Sequence, residues 1–74
     1  MLLQETFTMG SAAGNYPFAV NNIRDSIFRD SRIVDVKYNK QPLNTGNYAI
    51  SDGQLLLPVT LQDGDEISVT FYKY

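Results

Sequence analysis

The chain has 74 residues, six of them basic and eight acidic, for a formal net charge of -2, and it contains neither histidine nor cysteine. That excludes disulfide stapling, thiol or imidazole catalysis and the commonest metal ligands, and the interleaved, near-neutral charge leaves no footprint for nucleic acid. At this length folding buries roughly 60% of the unfolded chain's surface, so the core is thin, and of the usual aids for small scaffolds the composition leaves oligomerisation open.

At the start of the chain Leu3, Phe7 and Met9 are apolar while Gln4, Thr6 and Thr8 are polar, a period of two interrupted at Glu5. Residues 1–9 therefore read as a strand or a mobile arm. The start lacks the basic region and apolar run of a signal peptide, and no later apolar run reaches membrane-spanning length, so no membrane contact is expected. Gly10-Ser11-Ala12-Ala13-Gly14-Asn15 is a run of small residues expected as a flexible connection. Pro17 biases Tyr16 toward an extended conformation. Beyond it Val20, Ile23, Ile27 and Phe28 lie at helical spacing with Asn21 or Asn22 as N-cap, which predicts a short helical turn over residues 22–28. An irregular crossover between two sheets fits the same residues.

Four short strands follow, at residues 33–38, 48–50, 54–59 and 66–74. In the first, Val34, Val36 and Tyr38 are expected on the core face, with Asp35 and Lys37 toward water. Asn39-Lys40-Gln41-Pro42 supplies a turn, Leu43 a core plug, and Asn44-Thr45-Gly46 a second turn. Asp52-Gly53 suits a two-residue type I′ hairpin, because both residues tolerate the positive φ angles it demands. Pro58 belongs at a strand end or exposed edge, and Leu61 is a second core plug. The last strand alternates cleanly, with Ile67, Val69 and Phe71 on one face and Glu66, Ser68, Thr70, Tyr72 and Tyr74 on the other. The expected fold is all-β, a single-domain antiparallel β-sandwich of six to seven short strands.

Little in this pattern can carry chemistry. Asp63-Gly64-Asp65-Glu66 groups three carboxylates, yet a tight turn explains the Asp-Gly pair and the spacing is not that of an EF-hand loop. The serines have no histidine to activate them, and Lys37, Lys40 and Lys73 fall in turns or on strand faces, so no enzyme, cofactor or metal site is expected. Arg24, Arg29 and Arg32 alternate with Asp25 and Asp30 and read as a solvated face. Of nine aromatics, Phe7, Phe18, Phe28, Tyr38, Tyr48 and Phe71 fit core roles, whereas Tyr16, Tyr72 and Tyr74 have no obvious buried place. Exposed tyrosines can anchor a protein partner or stack on sugars. Leu3, Phe7, Met9, Tyr16, Tyr72 and Tyr74 are therefore the candidate interface residues.

Val36-Lys37-Tyr38-Asn39-Lys40-Gln41-Pro42-Leu43, Gly46-Asn47-Tyr48-Ala49-Ile50, Leu55-Leu56-Leu57 and Leu61 through Val69 together resemble a signature of small immunoglobulin-like modules. These include the X2 modules of bacterial cell-surface enzymes and β-sandwich pieces of tailed-phage virions. Lys40 stands where that pattern commonly has glycine. The resemblance covers about half the chain, consists of turn and core residues, and implies an immunoglobulin-like sandwich; it speaks for fold more than for function. With a chain that begins at Met1 and ends inside a strand, it also implies a free-standing, non-enzymatic virion subunit, a head decoration, head fibre or tail accessory protein. Such a subunit would be assembled in the host cytoplasm and would contact copies of itself or larger virion proteins as a homo-oligomer. The residue 1–9 strand could then pair with a neighbouring subunit's sheet edge. A carbohydrate- or surface-binding module using Tyr16, Tyr72 and Tyr74 is the alternative.

Overall fold

The computed structural model describes residues 1–43 and 45–74. Among them lie seven strands, β1 (Leu2–Thr8), β2 (Asn22–Arg24), β3 (Ser31–Tyr38), β4 (Gln41–Pro42), β5 (Ala49–Ser51), β6 (Gln54–Leu56) and β7 (Glu66–Lys73), with 3-10 turns at Ser26–Phe28 and Thr45–Asn47. They form two antiparallel sheets, one ordered β1-β7-β3-β4 and the other β2-β6-β5. No helix among the described residues is long and apolar enough to cross a membrane.

β7 organises the larger sheet. Its strict alternation turns Ile67, Val69 and Phe71 inward, where all three are fully buried or nearly so, and it pairs along its length with β1 on one side and β3 on the other. Opposite it, Ile23 of β2 and Leu55 of β6 are equally buried, and Phe7, Met9, Phe28, Val36, Leu57 and Leu61 complete one cluster shared by both sheets. Burying each such side chain is worth about 1.5–3 kcal/mol. Leu61 is a core plug as expected; Leu43 is half-buried against the same cluster.

Several local expectations are corrected by pairing. Residues 22–24 are a strand, because β6 offers them a ladder; the helical spacing of Val20, Ile23, Ile27 and Phe28 shrinks to the single 3-10 turn at Ser26–Phe28. Its cap is Asp25, whose carboxylate accepts from the Ile27 N–H at 3.1 Å, rather than Asn21 or Asn22. In β3 a register shift between Ile33 and Asp35 inserts an extra residue, so Val34, expected in the core, is 48% exposed, while Ile33 turns inward opposite Phe71. Phe18, also expected inside, is 41% exposed. Residues 10–15 form a closed loop: the Gly10 N–H donates to the Tyr16 carbonyl at 3.0 Å and the Asn15 N–H to that of Ala12 at 3.1 Å.

The turns follow their chemistry. Asp52 and Gly53 adopt φ of 52° and 73° between Ser51 and Gln54, the type I′ geometry read from the sequence. Asn39 and Lys40, at 49° and 70°, connect β3 to β4 in the same way. Pro58 lies past the end of β6 and is exposed. Asn44, assigned from the sequence to a turn with Thr45 and Gly46, lies outside the described residues.

Lys40 carries a side chain where the backbone is left-handed, which costs about 1 kcal/mol relative to glycine. Lys40→Gly should therefore raise stability by about 0.5–1 kcal/mol, read as a higher urea midpoint at unchanged slope. The bulge makes a second test: Val36→Ala should cost roughly 2 kcal/mol and Val34→Ala less than about 0.5. Equal losses would contradict the register shift.

Candidate functional site

Pairing register determines what the outer face of the larger sheet presents. β7 turns Glu66, Ser68, Thr70 and Tyr72 outward; β1 sets Thr8, Thr6, Gln4 and Leu2 beside them, and β3 adds Lys37, Asp35 and Arg32 on the other side. Thr6 and Ser68 hydroxyls meet across the strands at 3.2 Å. The face is polar along most of its length and becomes apolar at the Tyr72 end. There Leu2 is 53% exposed, Tyr72 42% and Tyr74 84%, with the bulged Val34 nearby along β3.

Arg32 lies over the Tyr72 ring, its guanidinium carbon 5.3 Å from the ring centroid, a cation-π contact that holds both side chains in place. Arg32, Tyr72 and Tyr74 line a shallow depression of about 320 Å³. The backbone beneath is tied at both sides, the Lys73 N–H donating to the Met1 carbonyl at 3.1 Å and the Tyr74 N–H to that of Asp30 at 3.2 Å. Two phenols and one guanidinium on a flat, tethered shelf can stack and donate hydrogen bonds.

The six residues singled out from the sequence divide sharply. Tyr72 and Tyr74 are brought together on this shelf. Phe7 and Met9 are 4% and 0% exposed, and Leu3 is half-buried opposite Phe71, because β1 pairs with β7 of its own chain and spends its inner face on its own core. All three therefore belong to the apolar cluster of their own chain. Tyr16 is likewise half-buried: its ring meets Phe7 edge-on at 5.0 Å, and its hydroxyl donates to the Asp25 carboxylate. Leu2, Arg32 and Val34 were missed. Leu2 was legible as the outward neighbour of Leu3, whereas Arg32 and Val34 depend on the β3 register, which no local pattern announces.

The groups with displaced acidities lie elsewhere and hold loops. Asp65 accepts from the Gln62 N–H at 2.8 Å, the Asn39 amide at 3.0 Å and the Tyr38 hydroxyl at 2.9 Å, and these donors keep its carboxyl below its ordinary range. The hydrogen bond to Asp65 in turn pushes the Tyr38 phenol up. The Asp63 to Glu66 run is thus engaged in turn chemistry, and no three potential metal-binding side chains cluster among the described residues. Tyr16 is pushed up to about 12, first by burial and then by its hydrogen bond to Asp25 and the charges of Asp25 and Glu5.

Comparison with protein-family models, curated proteins and solved structures yields no match.

Folding favours the neutral Tyr16 phenol, so its contribution to stability is whole below its ordinary value of 10.0 and is lost as pH rises through about 12. Absorbance at 295 nm against pH should show one tyrosine ionising near 12, and Tyr16→Phe should remove that step and cost about 1 kcal/mol at neutral pH. A parent protein with no such late step would show that Tyr16 is not held as described.

Proposed function

We propose that this protein is a non-enzymatic structural subunit that works through protein-protein contact at the aromatic end of its larger sheet. The observation that carries this reading is the gathering of Leu2, Tyr72 and Tyr74, with Val34 beside them, on one exposed and tethered shelf. Contiguous exposed apolar groups with a polar surround mark contact surfaces, and tyrosine and arginine are among the residue types enriched in binding hot spots. A thin core in a 74-residue chain also favours assembly with copies of itself or with a larger partner.

The finer reading of the fold belongs to the same proposal: two open antiparallel sheets over one apolar cluster support an immunoglobulin-like sandwich. The setting in a phage virion, as a head decoration, head fibre or tail accessory subunit, rests on the resemblance of the residue 36–69 pattern alone. A second reading, a carbohydrate- or surface-binding module, draws on the depression between Arg32, Tyr72 and Tyr74, where a sugar ring could stack.

Light scattering across a dilution series separates them. The parent's mass should rise above 8.3 kDa with concentration, and a Tyr72→Ser, Tyr74→Ser double variant should stay at the monomer mass. A parent and variant of identical mass at every concentration would remove self-contact from this shelf. Glycan-array binding by the parent that the variant loses would transfer the assignment to the second reading.

A further inference from the structure

The outer face of the larger sheet carries a charge pattern that matches itself. Its register places four charged side chains in rows: Glu66 beside Thr8, Lys37 and Thr6 flanking Ser68, Asp35 and Gln4 flanking Thr70, and Arg32 and Leu2 flanking Tyr72. Along β3 and β7 the order is therefore acid, base, acid, base, and the midpoint falls between the rows of Ser68 and Thr70.

Consider two such faces packed together with a twofold axis lying in the interface, perpendicular to the strands, through that midpoint. The operation reverses strand direction and lays β3 over β3 and β7 over β7. The Lys37 row then meets the Asp35 row of the second copy, and the Glu66 row meets the row of Tyr72 and Arg32. Lys37 and Asp35 thus meet directly, twice over by symmetry, while Glu66 comes over Tyr72, one strand away from Arg32. Aligned sheets pack about 10 Å apart, a gap that a lysine and an aspartate span together. A shift of the axis by half a row spacing, onto a row, would instead oppose like charges, Lys37 to Lys37 or Asp35 to Asp35, and a shift by a whole row would leave two of the four charged rows facing no charge of this face, so the midpoint register alone matches all four.

We propose that the occupant of this face is a second copy of the chain, docked antiparallel about that axis, with Lys37 and Asp35 as the register-setting pair. The proposal rests on the contact-surface reading above and names its partner. Three strands by seven residues present about 14 Å by about 24 Å, or about 340 Å² per copy, well under the roughly 800 Å² per partner of a standard stable interface. The pairing is accordingly weak and concentration-dependent.

Charge exchange tests the register. Lys37→Glu alone and Asp35→Lys alone each oppose like charges at both symmetry-related contacts, and each should weaken self-association at least about tenfold in sedimentation-equilibrium runs up to about 1 mM. An equimolar mixture of the two should associate within about threefold of the parent. In the mixed pair each new glutamate meets a new lysine, while the unaltered Asp35 of one chain meets the unaltered Lys37 of the other. Rescue by mixing also shows that both variants are folded. If the parent associates, the Tyr72→Ser, Tyr74→Ser variant does not, and the single charge variants behave as the parent, this register is overturned while the contact-surface reading stands. A parent that is monomeric throughout overturns self-pairing itself.

Discussion

Everything in this molecule hangs on β7 having a neighbour on each side. Its alternation supplies Ile67, Val69 and Phe71 to the core, and its two ladders hold β1 and β3 in one sheet although those strands are far from it, and from each other, in sequence. Bringing distant segments together costs little more free energy than bringing near ones together, since closure entropy grows only logarithmically with loop length. It does mean that the sheet has few local contacts to form first, the arrangement associated with slow folding. The two local hairpins, at Asn39-Lys40 and Asp52-Gly53, are where the chain can organise early.

Around that seam the polar groups act as ties for loops. Asp65 gathers the 62–66 turn and the Asn39 turn onto one carboxylate, and the Glu66 N–H returns a bond to the Asn39 side chain at 2.8 Å. On the far side of β1, Tyr16 and Asp25 link the 10–16 loop to the 3-10 turn beneath Phe28. Each tie is made by a side chain that also satisfies backbone donors left over at a turn, which is why short, irregular connections persist in so small a fold.

The surface available for contact is what the core leaves behind. Because β1 spends Phe7 on the interior and the following Met9 is buried with it, the apolar residues left on the larger sheet are Leu2, Val34, Tyr72 and Tyr74, all near one end. Glu5 stands on the inner side of β1 opposite Val69, yet at the open edge of the sheet it stays exposed. A charge there discourages edge-to-edge strand addition.

Wherever one face of a strand is paid for by its own alternation, the chain announced its structure. The inward set of β7, the Asp52-Gly53 turn, the Leu61 plug and the outward Tyr72 and Tyr74 depend on a period of two or on a dihedral preference, both properties of neighbouring residues. Residues 22–24 were legible only as helical spacing, since a three-residue strand exists by virtue of the β6 ladder beside it. Val34 and Arg32 were placed by a bulge, which shifts parity without any sign in composition. Whether Phe7 and Met9 face a neighbour or their own core turned on which edge accepted β1. The sequence by itself thus determined the strand class, the turns and the alternating faces, because those follow from local sterics and burial. Tertiary pairing alone decided register, the identity of the strand neighbours and therefore which aromatic residues remained at the surface, because a hydrogen-bonded ladder is a relation between segments that no single segment encodes.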